Sequence, residues 1–241
     1  MRHPSARATC SRVNLMAQKR AQSDGFRSEE ELVRAIIKCA SIARQRKYKA
    51  FVEIDAGVGI ADIVLCNRRD RTTRTVNVLA RVPPRLAPLL APDTASNVTS
   101  REALERALGL SRASAQRVIL QLHQLGIMRF RGNEVQLVPI GSEPFQHLIA
   151  VEAKLKKWQS ALAQAYRNRQ FADESWVVLD HRYHAPAVAQ ADRFQRSGVG
   201  LASVSVAGEL FIHLAALSSP PISATKRWHA QSALAKRVVA V

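Results

Sequence analysis

The chain has 241 residues, enough to bury a real core and too many for a tail or a peptide. Lysine and arginine number 36 against 19 acidic residues, so the formal charge of +17 favours a polyanionic partner such as DNA or RNA without choosing between them. No apolar run approaches the length of a bilayer span. The three cysteines, Cys10, Cys39 and Cys66, lack zinc spacing and a disulfide framework, so a cytoplasmic protein with no membrane partner is expected.

Residues 1–25 carry Arg2, Arg7, Arg12, Lys19 and Arg20 against Asp24 alone, which predicts a disordered basic arm. A transit peptide has a similar composition, and Met16 is an alternative start. Ser28 can cap a helix with Glu29, Glu30 and Glu31 in its first turn, and Leu32, Ile36, Cys39 and Ala43 recur at helical spacing. From Phe51 to Leu65, FVEIDAGVGIADIVL reads as two strands around a glycine-punctuated turn. Asp62 is embedded among apolar neighbours there and needs a partner. Glu53 and Asp55 share a face of the first strand, where pairing with arginines is their simpler use.

Asp62 and Glu152 stand 90 positions apart, far more than a hairpin needs, so a folded insertion is expected between them. Residues 81–96 are proline-rich and read as a stiff connector. In residues 97–140, Thr99 or Ser100 can cap REALERALGL, Gly109 supplies a turn, and Ser111 can cap a second helix. That helix buries Ala115, Val118, Ile119, Leu122 and Leu125. Two alternating runs follow, Ile127 to Arg131 and Glu134 to Val138, joined by Gly132-Asn133. The pattern is that of a winged helix-turn-helix. Its second helix would present Arg112, Ser114, Gln116, Arg117, Gln121 and Gln124 outward, with Arg129 and Arg131 on the wing. These side chains suit base edges and phosphates of DNA.

The run Leu148 to Lys156, LIAVEAKLK, sets Glu152 and Lys154 two apart in a strand, hence on one face. A carboxylate beside an ammonium suits metal-assisted chemistry on a phosphate. A helical pattern from Trp158 to Arg167 and a buried strand from Glu174 to Leu179 follow. In this arrangement the chain resembles the PD-(D/E)XK nuclease superfamily from Ser28 to about His213. The resemblance implies an α/β fold: a restriction endonuclease-like mixed sheet core flanked by helices, with an inserted winged helix-turn-helix module. By that resemblance Asp62 and Glu152 are acidic ligands of Mg²⁺, with Mn²⁺ as a substitute, and Lys154 is the catalytic lysine. Gln164 with Tyr166 resembles the helix motif beside the site, and Glu30 or Glu31 is the candidate for an added glutamate from the first helix. Of the two, Glu31 is the expected metal ligand. The proline of the family's name is absent before Asp62, where Ile60-Ala61 stand.

Residues 26–80 and 141–217 would then form one discontinuous domain. Ala185 to Ser197 is helical in pattern, and GVGLASVSVAGELFIHL gives two more strands of the same sheet around Ala207-Gly208. His181 and His184 lie in a polar loop with no third ligand spaced to join them. Residues 218–241 read as a basic tail or as a short helix from Thr225 onward. The function implied is a metal-dependent DNA endonuclease or exonuclease. The alternatives are a non-catalytic DNA-binding transcriptional regulator on the same fold, or a scaffold docking nucleic acid or protein, with homodimerisation left open.

Overall fold

The computed structural model describes residues 25–43, 48–131, 134–138 and 140–240; the expected basic arm, with Cys10 and Met16, and the Gly132-Asn133 turn lie outside them. Helix α1 (Glu29–Ala43) starts where Ser28 Oγ accepts the Glu31 amide at 3.2 Å, and buries Leu32, Ile36 and Cys39 against one face of a sheet.

That sheet is six-stranded and mixed, in the order β1-β2-β5-β6-β7-β8. Strands β1 (Lys49–Asp55) and β2 (Ile60–Arg68) form the antiparallel hairpin, turned where Asp55 Oδ1 accepts the Gly57 amide at 2.7 Å. Asp55 is thereby spent on the turn. Strand β5 (Phe145–Lys154) pairs antiparallel with β2 and parallel with β6 (Glu174–Asp180), and β6 pairs parallel with β7 (Gly200–Val204). Edge strand β8 (Leu210–Leu214) returns antiparallel. Residues 148–153 are all buried, the mark of a strand covered on both faces. The parallel pairs need crossovers, supplied by α6 (Trp158–Asn168) and by α7 (Ala185–Val188) with α8 (Ala191–Ser197).

Between β2 and β5 the first element is one that periodicity did not reveal, α2 (Thr73–Arg81). The proline-rich stretch expected as a stiff connector is a 3₁₀ helix (Pro84–Leu90) followed by α3 (Pro92–Asn97). Pro84 and Pro92 sit in the first turns, where a missing N–H costs nothing, and Leu86, Ala87, Leu89 and Leu90 are buried. Next come α4 (Arg101–Leu108) and α5 (Arg112–Gln124), each opened by the expected cap. Ser100 Oγ accepts the Ala103 amide at 3.1 Å, and Ser111 Oγ accepts the Ser114 amide at 3.4 Å. Gly109 at φ +61° takes the left-handed turn between them, a conformation that disfavours a side chain. Strands β3 (Met128–Arg131) and β4 (Glu134–Leu137) pair antiparallel, and the Val135 amide also bonds Thr99 O at 3.2 Å.

One apolar cluster runs continuously from the sheet through α2 and the 3₁₀ helix into α4, α5 and the hairpin. It also contains helix α9 (Ala224–Val239), the helical alternative expected from Thr225 onward rather than a tail, with Trp228, Ala230, Leu234 and Ala235 buried. Cys39 and Cys66 are free buried thiols, and burial pushes Cys66 up to about 12, so it is chemically quiet. Among the described residues no helix is long and apolar enough to cross a membrane.

Candidate functional site

Asp62 and Glu152 meet because β2 and β5 are antiparallel neighbours in which Ile63 opposes Val151. One step further along that register sets Asp62 opposite Glu152, on the same face. Lys154, two residues on, shares it. Asp62 Oδ2 accepts the Ala153 amide at 2.8 Å and the Lys154 ammonium at 3.1 Å, and Lys154 also donates to Glu29 at 3.2 Å.

Glu152 is fully buried. Its Oε1 accepts the Asn168 amide group at 2.7 Å, while Oε2 is enclosed with no hydrogen-bond partner among the described residues. Burial, then the negative charge of Asp62, pushes the Glu152 carboxyl up to about 7, against the pull of Asn168, Lys154 and Arg167. Burial lowers the pKa of Lys154, but Asp62 and Glu29 outweigh it and the net shift is upward. The lysine therefore remains a cation at neutral pH and does not act as a base.

The glutamate that α1 contributes is Glu29, not Glu31 or Glu30. Glu31 accepts the Arg27 amide at 2.9 Å and closes the helix start, and Glu30 pairs with Arg34 at 3.1 Å one turn away. Helical spacing could not choose among three adjacent carboxylates; the position of the helix start over the end of β5 does. On α6 the residue that touches Glu152 is Asn168, which the sequence reading missed. Its signal was a polar residue in the stripe Trp158, Ala161, Leu162, Ala165, all buried. Gln164 lies one turn earlier, with Oε1 buried and unbonded, whereas Tyr166 is 53% exposed and points away from the sheet.

Between β2 and β5, Arg112, Gln116, Arg117, Gln124, Arg129 and Arg131 are exposed as expected. Ser114 and Gln121 are half-buried instead. With Arg117 they line a cavity of about 470 Å³ against Arg85 and Leu86 of the 3₁₀ helix, and Ser114 Oγ accepts from Arg117 at 3.2 Å.

A third ligand does join His181 and His184. His213, from β8, completes a group in which one ligand atom from each ring lies within 4.8 Å of the others, and such a group can hold a metal ion. Sequence distance hid it: the return of the edge strand brings His213 across β7. Burial, then the neighbouring imidazoles, holds His181 and His213 below the usual histidine range.

No family model, curated protein or solved structure matches the chain.

Proposed function

We propose that the protein is a metal-dependent nuclease that hydrolyses phosphodiester bonds in DNA, on a PD-(D/E)XK-type core with an inserted winged helix. The observation carrying this reading is the convergence of Asp62, Glu152 and Lys154 on one sheet face, with Glu152 buried and one of its oxygens unpaired. A buried carboxylate oxygen without a donor is costly and calls for a cation or a proton. Asp62 keeps Oδ1 for a similar use, because among the described residues its hydrogen bonds fall on Oδ2.

These donors fit Mg²⁺, a hard ion bound through one or two carboxylates and water. Asp62 and Glu152 would hold it; when bound, such an ion polarises phosphate oxygens and acidifies water. Lys154 supplies fixed positive charge where a phosphorane develops negative charge, and Asp62 and Glu29 orient it. Asn168 fixes the Glu152 rotamer from α6. Arg112, Arg117, Arg129 and Arg131 offer exposed guanidiniums to the phosphate backbone, in keeping with the charge of +17.

The test is direct: purified full-length chain with supercoiled, linear and single-stranded DNA and with RNA, in Mg²⁺, Mn²⁺ or EDTA. Cutting that needs the metal and disappears in Asp62→Ala supports the reading. Binding without cutting in either metal overturns it in favour of a non-catalytic DNA-binding regulator. One observation favours that second reading: Lys154 already bridges Asp62 and Glu29, offsetting one of their two negative charges without an ion.

A further inference from the structure

The carboxyl end of the sheet carries a second constellation, built from different chemistry. His181 follows β6, His184 opens the short helix behind it, and His213 comes from the edge strand β8. Between two of the rings stands the buried Ser203 of β7, whose Oγ lies 2.9 Å from His181 Nδ1 and 2.8 Å from His213 Nε2. His184 Nδ1 donates to the carbonyl of His181. The rings are close and nearly parallel, at 4.4 Å for His181 with His184 and 4.7 Å for His184 with His213.

We propose that His181, His184 and His213 form a binding site for a late first-row divalent ion such as Zn²⁺, separate from the carboxylate site and oriented by Ser203. Neutral imidazole is the preferred nitrogen donor for these ions, while Mg²⁺ prefers oxygen. Each ring has one nitrogen engaged by the protein, which leaves the other for a metal. This is how ligating histidines are usually held. The His184 bond to a carbonyl fixes Nδ1–H and frees Nε2. A hydroxyl oxygen has two acceptor lone pairs, so Ser203 can accept from both His181 Nδ1–H and His213 Nε2–H, freeing His181 Nε2 and His213 Nδ1.

Tetrahedral Zn–N bonds put donor nitrogens roughly 3.4 Å apart with the ion in the plane of each ring. One nitrogen of each ring lies within 4.8 Å of the others, so ligation needs the rings to turn out of their stack and close by up to about 1.4 Å through side-chain rotation. Three protein ligands leave a fourth position for water or a phosphate oxygen. Such an ion would also tie edge strand β8 to the loop after β6.

The experiment uses the full chain without an affinity tag, stripped with EDTA and desalted. Titration with ZnCl₂ by calorimetry should give one ion per chain that excess Mg²⁺ does not displace, and a Co²⁺-loaded sample should show X-ray absorption from imidazole nitrogens. His213→Gln and His184→Ala should each weaken Zn²⁺ by roughly 100-fold or more, and Ser203→Ala by about 10-fold, as for loss of an orienting partner. Asp62→Asn with Glu152→Gln should leave Zn²⁺ binding intact. No uptake by the wild type, a Co²⁺ shell of oxygen donors, unchanged Zn²⁺ affinity in folded His213→Gln, or loss of Zn²⁺ in the double carboxylate variant would each overturn the proposal.

Discussion

Two buried ionic clusters are attached to the same strand, β5, and they differ in one respect. At its amino end, Arg227 of α9 donates to Glu143 at 2.7 Å, to Asp173 at 2.8 Å and to the Phe171 carbonyl at 3.0 Å. Beside it Gln231 acts as a surrogate strand, accepting from the Phe145 amide at 3.0 Å and donating to the Phe145 carbonyl at 2.7 Å. No buried polar side-chain atom of that network is left unsatisfied among the described residues. At the carboxyl end of the strand, Glu152 is just as buried but has an orphan oxygen, and its carboxyl pKa rises to about 7. A complete network holds the fold together; an incomplete one stores a cost that a ligand or proton can relieve.

The largest expected effect is on the complete network. Arg227→Ala leaves Glu143 with Gln231 alone and Asp173 with the Leu148 amide, both carboxylates being partly exposed, so unfolding free energy should drop by about 2 to 4 kcal/mol, below the loss for a fully buried ion pair. Chemical denaturation of the full chain measures it. A loss under 1 kcal/mol would mean that water replaces the guanidinium and that the two clusters are less different than their hydrogen bonds indicate.

Removing the cation of the incomplete cluster should cost function and spare the fold. Lys154→Ala should slow metal-dependent cleavage by roughly 10² to 10³, the price of one preorganised charge, while DNA affinity stays near the wild-type value. Asp62→Ala should abolish cutting. Wild-type rates in both, with unchanged melting curves, would put the active site elsewhere.

The orphan oxygen also predicts a pH signature in metal-free protein. The folded Glu152 carboxyl, near 7, holds its proton more tightly than the unfolded one, near 4.5. Its stabilising contribution is therefore complete below about pH 4.5 and is lost as pH rises through 7, a cost on the order of 3 kcal/mol at pH 8.5. In EDTA, Glu152→Gln should melt several degrees above wild type at pH 8.5 and close to it at pH 4.5. Mg²⁺ should raise the wild-type melt at high pH and leave the variant unmoved. A gap independent of pH would mean that Glu152 is ionised in the free protein.

Legibility in sequence divided along the same line. Asp62, Glu152 and Lys154 could be read because charged residues inside apolar strands are conspicuous and strand alternation fixes their common face. The Arg227 network could not: Glu143 and Asp173 lie in loops, and the helix expected from Thr225 onward gave no sign of which loops Arg227 and Gln231 would meet. The capped pair α4 and α5 was readable from local chemistry at Ser100, Gly109 and Ser111. Helix α2 and the buried 3₁₀ turn were not, because short segments are stabilised by the cluster they join rather than by their own periodicity. Choosing Glu29 over Glu31, finding Asn168, and adding His213 to the other histidines all required knowing which ends of which elements meet.

The smallest effect tests the exposed charges, which belong to neither buried cluster. Arg112 and Arg117 are exposed on α5 and Arg129 on β3, where each would make at most a solvent-screened contact with a phosphate. Replacing Arg112 or Arg117 by alanine should weaken duplex binding by the full chain modestly and equally across sequences, and each should lower the slope of log affinity against log salt by about 0.9. Lys154→Ala should leave that slope unchanged, since a cation already bridged by Asp62 and Glu29 has little charge to spare for releasing counterions. Fluorescence anisotropy at several salt concentrations separates the two cases. A slope that falls for Lys154→Ala but not for the α5 arginines would move the DNA path off the insertion and across the sheet end itself.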